Sequence, residues 1–219
     1  MGSEALGGSV TPYDRHVFVF TGPPLSWPSS PDAPLFKEVK RLAQTFQTKG
    51  SKSRITLAHC DDPSVGSPGD VWVLPDMVAY TRLTTANVEA SLRPHFESHV
   101  RVWGAVRISG AAAPLDGRFI FVCCHSARDA RCGTCGPALI ATFTAAVRSS
   151  GLANVYILAC SHVGGHKYAG NVIVFGRTKT SGEVCGDWYG YVTPGRVPDI
   201  LSALSANRYV EDLWRGCMA

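Results

Sequence analysis

The same order of elements reads twice along this chain, and that repetition limits the fold more than any single residue does. Consecutive apolar residues at 16–21 (Val17, Phe18, Val19 and Phe20) read as a buried strand. A Pro-rich loop with Trp27 follows. Apolar side chains at 35, 36, 39, 42, 43 and 46 then form a helical stripe over 35–48, closed by Gly50. Strands are predicted at 54–60, 71–74 and 77–82, the last two as a hairpin turning at Pro75 and Asp76, before a helix over 87–96. The second half predicts a strand at 118–123, a helix at 137–149 with Gly151 past its end, and a strand at 155–160. A strand pair at 171–175 and 187–192 follows, then a helix from 197 to 206. Both halves therefore read β-α-β-β-β-α. "ITLAHCDD" can be set beside "VYILACSH", and "GDVWVLPDMVAYTRL" beside "GNVIVFGRTK…GDWYGYVTP".

That order is the order of the thioredoxin fold. The expected class is α/β: two thioredoxin-like halves, each with a mixed central sheet flanked by helices. Residues 1–14 are expected to be a disordered tail, 15–103 a degenerate first domain and 114–219 a second. Their joint falls near 102–114, where Gly104, Gly110, Ala111, Ala112 and Ala113 cluster. A chain of 219 residues, 45% hydrophobic, can bury a core without staples, and disorder is excluded as its global state. No apolar run approaches the ~18 residues that read as a membrane span. A net charge of +4 without a long Lys/Arg block gives no footing for nucleic-acid binding. The start of the chain has neither a secretory nor a transit-peptide pattern, so a cytoplasmic location with reduced thiols is expected.

Eight Cys and seven His are many for this length, and the suggestive ones sit in two segments. In "VCCHSARDARCGTCGP", Cys123 and Cys124 end a strand, while Cys132 and Cys135 lie in a Gly-containing loop leading into the helix at Pro137. A helix N-terminus stabilises thiolate, and Arg128 and Arg131 add to that field. In "CSHVGGHKYAGN", His162 and His166 flank Gly164 and Gly165, which permit a tight loop turning both imidazoles to one centre. Both segments follow neighbouring strands at the edge where α/β sheets place ligands. Two thiolates and two imidazoles suit either zinc, as a closed tetrahedron, or a [2Fe-2S] cluster with Cys on one iron and His on the other. Cys132 and Cys135 have the pitch of a zinc knuckle, and also of a thiol-disulfide oxidoreductase pair. Cys123 and Cys132 are spaced to reach around one iron of a cluster. Spacing alone leaves these readings open. His16, His95 and His99 read as ordinary histidines, His59 and Cys60 as an echo of the second half, and His125 as a hydrogen-bonding loop residue. Cys160 reads as a core hydrophobe, and Cys185 and Cys217 as free thiols.

"VCCHSARDARCG" resembles a family pattern of Cys, any residue, His, then Arg-Asp and a second Cys-Gly. "HVGGHKYAGNVIVF" resembles its companion, His-x-Gly-Gly-His followed by Ala-x-Asn-Val, and "FTGPPLSWPSS" is similar to the same family's N-terminal half. Together they resemble the sucrase/ferredoxin-like family of bis-histidinyl thioredoxin-like ferredoxins. The resemblance implies one [2Fe-2S] cluster in the second half, with Cys123, Cys132, His162 and His166 as ligands and none in the first half. It implies an electron carrier more than an enzyme, working with a redox partner protein, either a reductase or an electron acceptor. Cys124 and Cys135 depart from the pattern as extra thiols, either able to replace its neighbour. Lys167, Arg128 and Asp129 would surround the site.

A neutral imidazole in place of a thiolate removes negative charge, so the potential should lie above that of an all-Cys ferredoxin, in the span of about −150 to +300 mV. A ligating His keeps a second ring nitrogen able to hold a proton. Reduction then draws in a proton, and the potential falls as pH rises. A redox titration repeated between about pH 6 and 9 checks this, and a flat potential counts against it.

Overall fold

The structure, a computed structural model, describes residues 6–47, 52–97, 112–180 and 182–218. The first half runs β1 (Arg15–Phe20), α1 (Pro34–Phe46), β2 (Ser53–His59), β3 (Val71–Leu74), β4 (Val78–Tyr80), α2 (Val88–Glu97) and β5 (Ala112–Pro114). The second runs β6 (Arg118–Cys123), α3 (Ala130–Ser150), β7 (Val155–Cys160), β8 (Val172–Thr178), β9 (Val184–Tyr189), α4 (Val197–Ser205) and β10 (Trp214–Cys217). The expected α/β class is what is found, with an added edge strand closing each half. All ten strands form one mixed sheet in the order β10-β9-β8-β6-β7-β2-β1-β3-β4-β5.

Three expectations change. Val10 and Tyr13 are buried, and the Val10 N–H donates to the Arg215 carbonyl, so this stretch of the expected tail is tied to the core at those two side chains. The expected joint lies outside the described residues as far as 111, and Ala112–Pro114 pairs with β4, so it completes the first half. Helix α3 starts at Ala130, not at Pro137, because the Asp129 carboxylate caps it by accepting from the Arg131 N–H at 3.0 Å. It stops where Gly151 takes φ 66°.

The duplication is visible in the main chain. Thr21 N–H donates to the Ala58 carbonyl, and Cys124 N–H to the Cys160 carbonyl, both at 3.0 Å. Phe20 N–H donates to Asp70, and Cys123 N–H to Asn171. Phe20 is therefore the counterpart of Cys123, and Ala58 that of Cys160. The match of "ITLAHCDD" to "VYILACSH" is two residues out of step with this register. Side-chain alternation in a strand has period two, so a slip of two preserves the apolar pattern and leaves no trace in the sequence.

Counterparts meet each other at the centre. Ala58 pairs with Cys160 where β2 and β7 run antiparallel. Phe18 on β1 stacks on its counterpart Phe121 on β6 with ring centroids 3.7 Å apart. Those strands are three places apart in the sheet order, about 14 Å if the sheet were flat. The sheet therefore folds at the β2/β7 junction, and its two halves close face to face. Trp72 on β3 confirms the closure by packing on Phe119, 5.0 Å away. Phe18, Phe20, Phe119, Phe121, Phe175 and Trp188 fill the layer between the half-sheets. On the other face of the strands, Val17, Val19, Ile120 and Val122 pack with Val39, Leu42, Leu139 and Phe143 of α1 and α3.

Phe121→Ala empties the centre of that layer. We expect a loss of about 3–5 kcal/mol, read as an earlier unfolding midpoint in denaturant. A change below about 1 kcal/mol would show that the half-sheets do not depend on this stack.

Candidate metal centre

Cys123 is the last residue of β6, and its side chain enters the layer between the half-sheets, 2% exposed. Cys124 follows it and must point the opposite way, toward α3. Gly136 makes room there, since a Cβ at that position would stand 2.5 Å from both the Cys123 carbonyl oxygen and Cys124 Sγ. Cys132 lies in the first turn of α3 and is fully buried. Donor atoms of Cys123, Cys132 and His162 all lie within 4.8 Å of one another. Cys124 faces away, and Cys135 is half-buried outside this group. The structure thus brings together three of the four residues expected at the site. His166 opens a short 3-10 turn, His166–Tyr168, and its side chain lies outside the described residues.

The loop carrying His162 is tied down from several sides. The His162 N–H donates to His125 Nδ1 at 3.2 Å, and His125 Nε2 bonds the Pro28 carbonyl at 2.9 Å. With Nδ1 accepting, Nε2 must carry the proton, which assigns the tautomer of His125. Pro28 comes from the first half, as does Arg54, whose Nη1 donates to the Val163 carbonyl at 3.4 Å. Gly164 and Gly165 take φ 89° and 67°, which side chains resist. Asn171 Nδ2 donates to the Gly165 carbonyl at 3.2 Å and closes the loop. The first half therefore walls the site and holds its histidine loop.

The electrostatics favour a thiolate on Cys123. The Cys132 thiol donates to it and holds its pKa down against burial, and the N–H groups of His125 and Val163 act in the same direction. The same pairing, together with burial, pushes Cys132 up, while a hydrogen bond from His162 opposes the rise. Burial pushes Cys124 up to about 12 and Cys160 well above its ordinary value, as expected of inert core thiols. Burial also lowers His125, and the bond to Pro28 opposes it. Arg131 folds onto Asp129 through Nε at 3.0 Å and Nη2 at 2.9 Å, so its charge is compensated rather than adding to the helix field. Two buried thiols beside an imidazole, with backbone N–H groups aimed at one sulfur, fit a thiophilic centre in donor chemistry and in burial.

Residues read as ordinary have structural partners. His16 links Tyr13 and Thr56, and His95 lies between Asp76 and Tyr80. His99 lies outside the described residues. Sequence reasoning missed Arg54 and Arg215, although each is a lone cation inside a strand, which was a usable signal.

A family model described as Sucrase/ferredoxin-like matches residues 6–216. The protein called Altered inheritance of mitochondria protein 32 from Debaryomyces hansenii is 33% identical over 132 residues, covering 60% of this chain and 47% of that protein. Its namesake from Eremothecium gossypii is 37% identical over 107 residues, covering 47% of this chain and 33% of its own length. The chain thus spans half or less of the length of these relatives. Among solved structures, the wild-type thioredoxin-like [2Fe-2S] ferredoxin from Aquifex aeolicus aligns with 45% of this chain and 96% of its own, at 19% identity and a TM-score of 0.36.

Gly136→Ala should force α3 away from the end of β6. The expected result is a loss of about 1–3 kcal/mol in denaturant unfolding, together with less metal retained through purification. Metal analysis and an unfolding curve on the same sample check both.

Proposed function

This chain belongs to the sucrase/ferredoxin-like family, and from that membership we propose that its second half binds one [2Fe-2S] cluster and serves as a one-electron carrier. The ligands in this reading are Cys123, Cys132, His162 and His166. The observation that carries it is the convergence of the first three, two of them fully or almost fully buried, within 4.8 Å of one another. Such a cluster, when bound, supplies reversible one-electron transfer.

The protein's own residues do the rest. Cys123 gives a thiolate whose charge is spread onto the N–H groups of His125 and Val163. His125 fixes the backbone at His162 and so the reach of that imidazole. The aromatic layer excludes water from one side of the site. Phe20 occupies the position of Cys123 in the first half and packs on Trp72, 4.7 Å away, so that half has no thiol to offer there. Electrons pass to or from a partner protein, a reductase or an acceptor, and neither nucleic acid nor a membrane surface takes part. Among the described residues no helix is long and apolar enough to cross a membrane.

Zinc is the second reading, because donors this close together also suit a single tetrahedral ion. Thiol-disulfide exchange is less well supported, since the Cys132 thiol is hydrogen-bonded to Cys123 and His162 and Cys135 lies outside that group.

Anaerobic purification followed by visible absorption, iron analysis and EPR after reduction tests the assignment. We expect a reddish-brown protein with about two irons per chain, whereas a colourless protein with one zinc would replace this reading by the second. Cys123→Ser, Cys132→Ser and His162→Ala should each lose the chromophore, while Cys124→Ser and Cys135→Ser keep it. The cytoplasmic placement is tested by fractionating cells that express the full chain. Recovery in the cytosol supports it, and protease-protected recovery with mitochondria overturns it.

A further inference from the structure

Two arginines, one from each half, approach the loop at 162–166. Arg54 stands on β2 of the first half, and Arg215 on β10 at the far edge of the second. Each guanidinium lies over the Trp188 ring, with Arg54 5.0 Å and Arg215 5.8 Å from its centroid. Arg54 also covers Tyr13 at 4.9 Å, and Arg215 covers Tyr168 at 4.3 Å.

Both reach the site through one or two links. Arg54 Nη1 donates to the Val163 carbonyl, and the N–H of the same residue donates to Cys123 Sγ. Arg215 Nη1 donates to Asn171 Oδ1 at 2.5 Å, and Asn171 Nδ2 bonds the Gly165 carbonyl. The Arg215 Nη2 occupies the space that a Cβ at Gly165 would need. Arg54, Gly164, His162 and Trp188 line a common cavity of about 280 Å³.

What these cations lack is a counter-charge. Among the described residues neither forms an ion pair, whereas Arg15, Arg41, Arg93, Arg131, Arg177 and Arg196 each do. Arg215 is only 3% exposed, and Arg54 is half-buried with its Nε shielded from water and without a hydrogen-bond partner. A buried cation without a nearby anion is costly, and two close together repel as well. Burial lowers the pKa of Arg215, Tyr168 opposes that, and Arg54 adds to the lowering. Such an arrangement persists where negative charge arrives beside it.

We propose that Arg54 and Arg215 are positioning residues that clamp the histidine loop and act as counter-charges for the electron the site accepts. This rests on the cluster reading above. Two ferric ions, two sulfides and two thiolates sum to zero charge, and imidazoles add none, so one added electron leaves a single net negative charge until a proton is taken up, and the titration is done at the alkaline end of the range where proton uptake is least. The guanidinium charges stabilise that reduced form over the oxidised one and hold the potential up.

A mediator-poised redox titration of the purified, cluster-loaded protein tests this, with Arg54→Gln, Arg54→Lys and the exposed Arg148→Gln compared with the unmodified chain. Arg54→Gln should lower the reduced-to-oxidised ratio at fixed ambient potential about tenfold, a downward shift of about 59 mV for a one-electron couple. Arg54→Lys keeps the charge and should stay within about threefold, or about 30 mV. Arg148→Gln removes a remote charge and should leave the potential unchanged. If Arg54→Gln fails to assemble, Arg215→Lys and Arg215→Gln carry the same comparison. Intact chromophores with an unchanged potential in the Gln variants overturn the arginine proposal and leave the cluster reading standing. So does an equal fall in the Lys and Gln variants, which would mean geometry rather than charge. An unmodified protein without the chromophore overturns both.

Discussion

The stack of Phe18 on Phe121 is the contact on which the rest of the molecule depends. Each ring comes from the first strand of its own half, and the two are counterparts in the duplication. Neither half can bury the aromatic face of its strands alone, because its helices cover only the other face. Closing the half-sheets on each other solves this for both halves at once. It also brings the loops of the first half against the end of β6, where Cys123 lies. The candidate metal centre is therefore built at the rim of a packing interface, and its rigidity derives from the density of that interface.

The duplication diverged at one kind of position. The main-chain hydrogen bonds that place Cys123 are repeated around Phe20, so both halves offer the same backbone frame at the end of their first strand. In one half the frame carries a thiol reached by Cys132 and His162. In the other it carries an aromatic ring packed on Trp72. What the first half gave up in donors it supplies as support, through the Pro28 carbonyl bonded to His125 and through Arg54 bonded to the loop.

Much of this was legible in the sequence. β6 and β7 lie at the predicted residues, because continuous apolar runs bounded by polar ones leave little freedom in their ends. Cys132 belongs to a helix and not to a loop, since Asp129 caps α3 a full turn and more before Pro137, the residue that looked like its start. β10 has no apolar run and exists because β9 offers it an edge to pair with. Residues 10–14 looked like the end of a tail, and two of them, Val10 and Tyr13, joined the core, Tyr13 with Trp188 and His16 as partners.

By itself the sequence determined the two α/β halves, their element order and the small set of Cys and His residues worth considering, because periodicity and residue chemistry are local properties of the chain. Only the tertiary structure put Cys123, and not Cys124, beside Cys132 and His162. The choice depends on which face of β6 meets the other half-sheet, and alternation alone does not say which face that is. It also decided the true register of the repeat and the approach of Arg54 and Arg215 to the histidine loop. Those contacts join residues 109 and 44 positions apart in the chain, and no local pattern encodes them.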